Sequence, residues 1–129
     1  MYNIPGELDS VKGKVFLVHW REAEAQVLAR EIRNMGWTVD IETNDGARVG
    51  QRLKEHPADV VVIYLTRLPS HGRETGHSLR AIKATKNIPL VYVDGNEEAV
   101  ERTKTIVPDA IYTTTEQLDR TLTEQCHHW

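Results

Sequence analysis

The 129-residue chain has a single cysteine, Cys126, so it cannot close an internal disulfide. A lone thiol suits a reducing compartment, and a cytoplasmic location is expected. The chain also lacks a strong charge of one sign. A net charge of -3 with a pI near 6.1 gives no field that draws in a nucleic-acid backbone, so nucleic-acid binding is not expected. No apolar run approaches the roughly 20 residues needed to span a bilayer, and no membrane segment is expected. Residues 1 to 14 carry Pro5, Gly6, two acids and two lysines in place of the charged-then-apolar pattern of a signal peptide. The length fits one domain with one core and leaves no room for a second.

What is present is a series of short apolar runs separated by helical periodicity. The stretch Ala58 to Pro69 contains an unbroken β-branched run, Val60 to Ile63, that offers no polar face to water and marks a central parallel strand. Lys14 to His19 reads as an earlier buried strand. Ala25, Leu28, Ala29 and Ile32 then fall at helical steps up to Gly36. Trp37 to Glu42 alternates apolar with polar, as an edge strand with one wetter face does. Asn44-Asp45-Gly46 is a turn and helix cap ahead of Val49 and Leu53. After the central strand, Pro69 to His77 reads as a polar, glycine-containing loop, with a helix through Leu79 and Ile82 to about Lys86-Asn87. Ile88 to Val93 is a fourth strand with its proline at the entrance. Glu97 to Val107 is a helix with Ala99, Val100, Thr103 and Ile106 inward, Asp109 to Thr113 is a short fifth strand, and Thr115 to Leu122 begins a last helix.

Five strands alternate with five helices, each unit long enough for a right-handed crossover, so the sheet is parallel. The three fully apolar strands belong in the middle. That gives the order 2-1-3-4-5 in a three-layer α/β/α sandwich, the flavodoxin-like arrangement, whose functional groups gather at the carboxyl edge of the sheet.

Gly46-Ala47 through Leu53-Lys54-Glu55-His56-Pro57-Ala58-Asp59, the apolar strand, Leu68-Pro69 and Ile88-Pro89 resemble the text of the receiver domain of two-component response regulators. The resemblance spans about residues 13 to 125, between a leader at 1–12 and a tail at 126–129. It implies a CheY-like domain, but the family's reactive positions are replaced. The two acids that hold Mg²⁺ after the first strand correspond to His19 and Trp20, and the phosphoacceptor aspartate to Tyr64. The hydroxyl residue after strand four corresponds to Asp94, the lysine after strand five to Thr114, and the switch aromatic to Ile111. The resemblance therefore implies a pseudo-receiver without aspartyl phosphorylation, not an enzyme, and requiring no cofactor.

The residues expected at the degenerate pocket are His19, Trp20, Tyr64, Thr66, Arg67, His71, Arg73, Asp94 and Thr114. Tyr64 either fills space once given to metal and water or offers its hydroxyl to a partner or to Asp94. His19 either titrates near neutrality or is a satisfied structural histidine. Arg67, His71 and Arg73 could gather an anion, or the loop carrying His71, Arg73, Glu74 and His77 could simply be solvated. A histidine pair six apart is not a zinc spacing, and Cys126-His127-His128 lacks a fourth ligand, so no metal site is expected. Trp129 either contacts another chain or lies free. The face made by the fourth helix, fifth strand and fifth helix carries mixed charge at Glu97, Glu98, Glu101, Arg102, Lys104, Glu116, Asp119 and Arg120, a surface through which a protein partner or a second copy could dock. The expected function is a non-catalytic, receiver-like protein-interaction module. The alternative is a small-ligand or anion-binding domain using the same pocket, although neither a glycine-rich phosphate fingerprint nor the Asp-x-His-x-x-Gly signature of cobalamin-binding proteins is present.

Overall fold

Val60–Tyr64 forms strand β3, and all five of its side chains are buried. A β-branched run of this kind is accommodated only where both faces are covered. The structure, a computed structural model that describes residues 12–126, covers both. Strands β1 (Gly13–Val18) and β4 (Leu90–Val93) flank β3, and β2 (Trp37–Glu42) and β5 (Ile111–Thr113) form the edges of a parallel sheet in the order β2-β1-β3-β4-β5. This is the flavodoxin-like order expected from the apolar runs. Val18 lies opposite both Glu42 and Ile63, and Tyr64 lies opposite Val93. The strands therefore finish at nearly one level, and the residues that follow them meet at a single edge.

The side-chain alternation of β3 divides the core into two layers. Val60, Val62 and Tyr64 pack with Ala29 and Ile32 of α1 (Glu22–Asn34) and with Leu118 and Leu122 of α5 (Leu118–Gln125). Val61 and Ile63 pack on the opposite face with Val49 and Leu53 of α2 (Gly46–Glu55) and Leu79 of α3 (Pro69–Ala81). Val100 of α4 (Glu97–Ile106) packs against that second layer.

Segment 69–77, expected as a loop, is the greater part of α3, which ends at Ala81 and not near Lys86-Asn87. Pro69 occupies the first helical position, where its missing N–H costs nothing. Gly72, Thr75, Gly76 and Leu79 form one buried stripe. The glycines here permit close approach: a Cβ at Gly72 would lie 2.9 Å from Ile63 Cγ2, and one at Gly76 would overlap the Tyr92 hydroxyl. That hydroxyl donates to Gly72 O at 2.9 Å, and the Tyr92 ring stacks on Tyr112 with centroids 5.3 Å apart.

Three smaller expectations also change. Ile106 is 45% exposed, and Val107, at the cap of α4, is buried in its place. Glu42, expected on the wetter face of β2, is buried, because it accepts the N–H groups of Asn44 and Asp45 at 3.1 Å each and Arg52 Nη1 at 3.2 Å. Cys126, placed with the tail, is buried against the α1–α5 layer, one helical turn beyond Leu122. The expectations for His127, His128 and Trp129, and for the leader up to residue 11, lie outside the described residues.

The close seat of α3 is directly testable. Gly76→Ala should lower stability in chemical denaturation by about 1–3 kcal/mol, despite alanine's better helix propensity. In a Tyr92→Phe background the same change should cost measurably less, because the atom it overlaps is gone. An equal loss in both backgrounds would contradict this packing.

Candidate functional site

His19 follows β1, Tyr64 ends β3 and Asp94 follows β4, so the sheet register sets these three side by side at the carboxyl edge. His19 is 1% exposed. Its Nδ1 accepts the Arg21 N–H at 3.1 Å, and its Nε2 lies 3.4 Å from Glu24 Oε1. An Nδ1 that accepts a hydrogen bond cannot carry a proton, so the ring is neutral with its hydrogen on Nε2. Burial holds the His19 pKa below its ordinary value. Arg67 adds to that depression and Glu24 opposes it.

Tyr64 is 3% exposed, and its hydroxyl is buried with no hydrogen-bond partner. Its ring sits 5.5 Å from that of His19. Burial pushes its pKa up to about 12, with the negative charges of Asp94 and Glu31 acting in the same sense. The Thr115 hydroxyl is close enough to moderate this effect. The Thr115 hydroxyl donates to Asp94 Oδ2 at 2.5 Å, and no group meets the phenol in hydrogen-bonding geometry. Asp94 also takes the Thr115 N–H on Oδ1 at 3.0 Å. The aspartate thus ties the loop after β4 to the single 3₁₀ turn Thr115–Gln117 that leads into α5.

Among the described residues, two non-glycine positions have left-handed backbone, and both lie at this edge: Leu68 with φ 46° and Asp94 with φ 59°. Aspartate tolerates that conformation; leucine does so at a cost in strain. Gly95, at φ 98°, is required next to Asp94, since a Cβ there would come within 2.7 Å of Leu65 Cβ.

The expected site residues do not form one pocket. His19, Tyr64, Thr66, Arg67 and Asp94 line a groove of about 570 Å³. Trp20 and His71 line a second groove, of about 360 Å³, beside Asp45 and Gly46 at the start of α2. Their rings meet edge to face at 5.5 Å, and Trp20 Nε1 is buried without a partner. Arg73 lines a third cavity, of about 260 Å³, with Asn96 and Arg102, and its Nε donates to Thr103 Oγ1 at 3.4 Å. Thr114 is exposed and caps the 3₁₀ turn by accepting the Gln117 N–H at 3.3 Å. His71 and His77 stand on one helix, and six residues of helix separate them by about a third of a turn. An anion site built from Arg67, His71 and Arg73 is therefore not assembled.

Two opposite charges of the first groove pair with each other. Arg67 clasps Glu24 with two bonds, Nε to Oε1 at 3.2 Å and Nη2 to Oε2 at 2.6 Å. This fork geometry is the strong form of a charge-assisted contact, although solvent at this exposed position limits its net worth. It is also the largest influence holding the Glu24 carboxyl below the usual range. Glu24 and Thr115 are the functional residues that sequence reasoning missed. Both lie outside the strand ends that guided it, and no local motif marks either.

No protein-family model and no curated protein matches the chain. Solved structures do. A candidate response regulator from Chloroflexus aurantiacus is 14% identical, with 90% of this chain and 98% of that chain covered and a TM-score of 0.74. Chemotaxis protein CheY4 of Vibrio cholerae is 18% identical, covering 86% of this chain and 96% of that one, with a TM-score of 0.70. The receiver domain of a sensor histidine kinase from Pseudomonas aeruginosa, whose structure has a magnesium ion coordinated in the active-site cleft, is 18% identical, covers 90% and 98% of the two chains and gives a TM-score of 0.72. The chain has the receiver fold.

A magnesium site does not fit the residues at this edge. The ion needs several oxygen ligands, carboxylates among them. Here the neutral His19 and the indole of Trp20 follow β1, Asp94 is occupied by Thr115, and Glu24 is held by Arg67. Among the described residues, no three histidine, cysteine, aspartate or glutamate side chains are grouped to hold a metal ion.

Two outcomes follow from this geometry. Tyr64→Phe removes a hydroxyl that has no partner, so stability should hold or rise by up to about 1 kcal/mol, and a clear loss in thermal or denaturant unfolding would show that the hydroxyl is paired. His19 should contribute a pH dependence of definite sign. Its folded pKa lies below the ordinary unfolded value near 6.5, so the unfolded chain binds the extra proton. This contribution should be fully present above about pH 6.5 and decline as the pH falls below it, and His19→Gln should flatten the slope in that window.

Proposed function

We propose that the protein is a non-catalytic, receiver-like signalling module that works through protein contacts without aspartyl phosphorylation. One observation carries the reading: at the end of β3, in a chain with the receiver fold, the residue is Tyr64, buried and with a pKa pushed up to about 12. A neutral phenol in that place is no nucleophile for a phosphoryl group. The neighbouring positions support the same reading, because His19 and Trp20 supply no acid after β1 and both oxygens of Asp94 are engaged by Thr115.

The partner, a protein or a second copy of the chain, would meet the face of α4, β5 and α5. β5 is a half-buried edge strand of three residues with an open side, and Ile106 stands exposed nearby. Charge on this face is largely paired within each helix, Arg102 with Glu98 at 3.5 Å and Arg120 with Glu124 at 3.6 Å, so its apolar and backbone groups offer more to a partner than its charge does. The single thiol, Cys126, agrees with a reducing compartment, the cytoplasm.

Incubation with acetyl phosphate and Mg²⁺ should leave the intact mass of the protein unchanged. A stoichiometric, acid-labile phosphoryl adduct would sink this reading.

A further inference from the structure

The charged groups around the groove lined by His19, Tyr64 and Asp94 are already engaged. Arg67 holds Glu24, Asp94 takes both hydrogens of Thr115, and His19 accepts from Arg21 on one nitrogen and faces Glu24 with the other. The exception is neutral: the Tyr64 hydroxyl, in a side chain 3% exposed, has no partner. A buried hydroxyl left in this state is a standing cost, relieved when a guest supplies an acceptor. Above it the groove turns apolar, with Ala23, Val27 and Leu28 of α1 forming the wall and Val27 48% exposed. A volume of about 570 Å³ lies within the range of small-molecule sites.

We propose that the groove between α1 and the loops after β3 and β4 binds a neutral, mainly apolar small molecule bearing one hydrogen-bond acceptor, such as a carbonyl oxygen. The acceptor takes the Tyr64 hydrogen, and the apolar body lies on Val27 and Leu28. Charge selects against an anion, because the groove holds two carboxylates, Glu24 and Asp94, against the single guanidinium of Arg67. A docking protein surface would cover the wall without reaching a hydroxyl that is closed even to water. Binding therefore includes a small turn of Thr115, the side chain beside the phenol. Leu68, strained by its left-handed backbone, lies in the loop after β3 that borders the groove, where occupancy can alter loop shape. In a module without phosphoryl input such a molecule is the input, and in that purpose alone the inference rests on the function proposed above.

Three probes on one ring separate the contributions: acetophenone, with a carbonyl; ethylbenzene, without one; and benzoate, with a charge. Titrated into the full chain and followed by ¹H–¹⁵N chemical shifts, acetophenone should give saturable shifts confined to the groove. Ethylbenzene should bind about fivefold more weakly, the worth of one hydrogen bond, and benzoate about tenfold more weakly or not at all. Tyr64→Phe should bring acetophenone down to the affinity of ethylbenzene, and Val27→Glu, at an exposed position, should weaken both. No saturable shift with acetophenone, an unchanged affinity in Tyr64→Phe, or benzoate as the tightest probe would each overturn the site. Phosphorylation by acetyl phosphate would overturn the proposed function and leave these affinities where they are.

Discussion

A strand covered on both faces can address the outside only through its ends. Val60 to Ile63 have no exposed surface, and β1 and β4 hydrogen-bond to β3 on either side. The side-chain alternation of β3 apportions the core between the α1–α5 layer and the α2–α3–α4 layer, and its register levels the neighbouring strand ends. Chemistry at the carboxyl edge is therefore a matter of which residues follow each strand. In this chain they are His19, Tyr64 and Asp94.

The charged and ring-nitrogen groups of this edge are engaged within the protein, and the Tyr64 hydroxyl alone of the three is buried without a partner. A receiver that takes up a phosphoryl group needs carboxylates free to meet a cation and the incoming phosphate. Here the one carboxylate after β4 fastens two loops together, the imidazole is neutral and held through Nδ1 with Nε2 facing Glu24, and the guanidinium is committed to Glu24. Protonation of His19 would put a hydrogen on Nδ1 against the Arg21 N–H, and ionisation of Tyr64 would place a buried anion near Asp94. The edge is consequently stable in one protonation state across the neutral range, as suits a scaffold more than a reaction centre.

Most of the fold was legible because burial on two faces leaves an unmistakable trace: Val15 to Val18, Val60 to Ile63 and Leu90 to Val93 carry no polar residue. The start of α3 resembles a loop in sequence because Gly72 and Gly76 have polar neighbours, whereas in the fold the glycines bring the helix close to Tyr92. The helical signal was nevertheless there, in the spacing of Gly72, Thr75, Gly76 and Leu79. Cys126 similarly continues the four-residue steps of Leu118 and Leu122. The strand-end residues of the site could be placed by counting. Their partners could not, since Glu24 meets Arg67 across 43 positions and Thr115 meets Asp94 across 21. Such pairings are properties of the folded chain and leave no mark in local sequence.

The central claim is that the end of β3 presents a buried neutral phenol beside an aspartate engaged by Thr115, and not a metal and phosphoryl centre. The most direct measurement is a ¹H–¹⁵N spectrum titrated first with Mg²⁺ and then with beryllium trifluoride, a phosphoryl mimic. The account predicts that the resonances of His19, Tyr64, Asp94 and Thr115 stay in place throughout. Saturable shifts centred on these residues would contradict it.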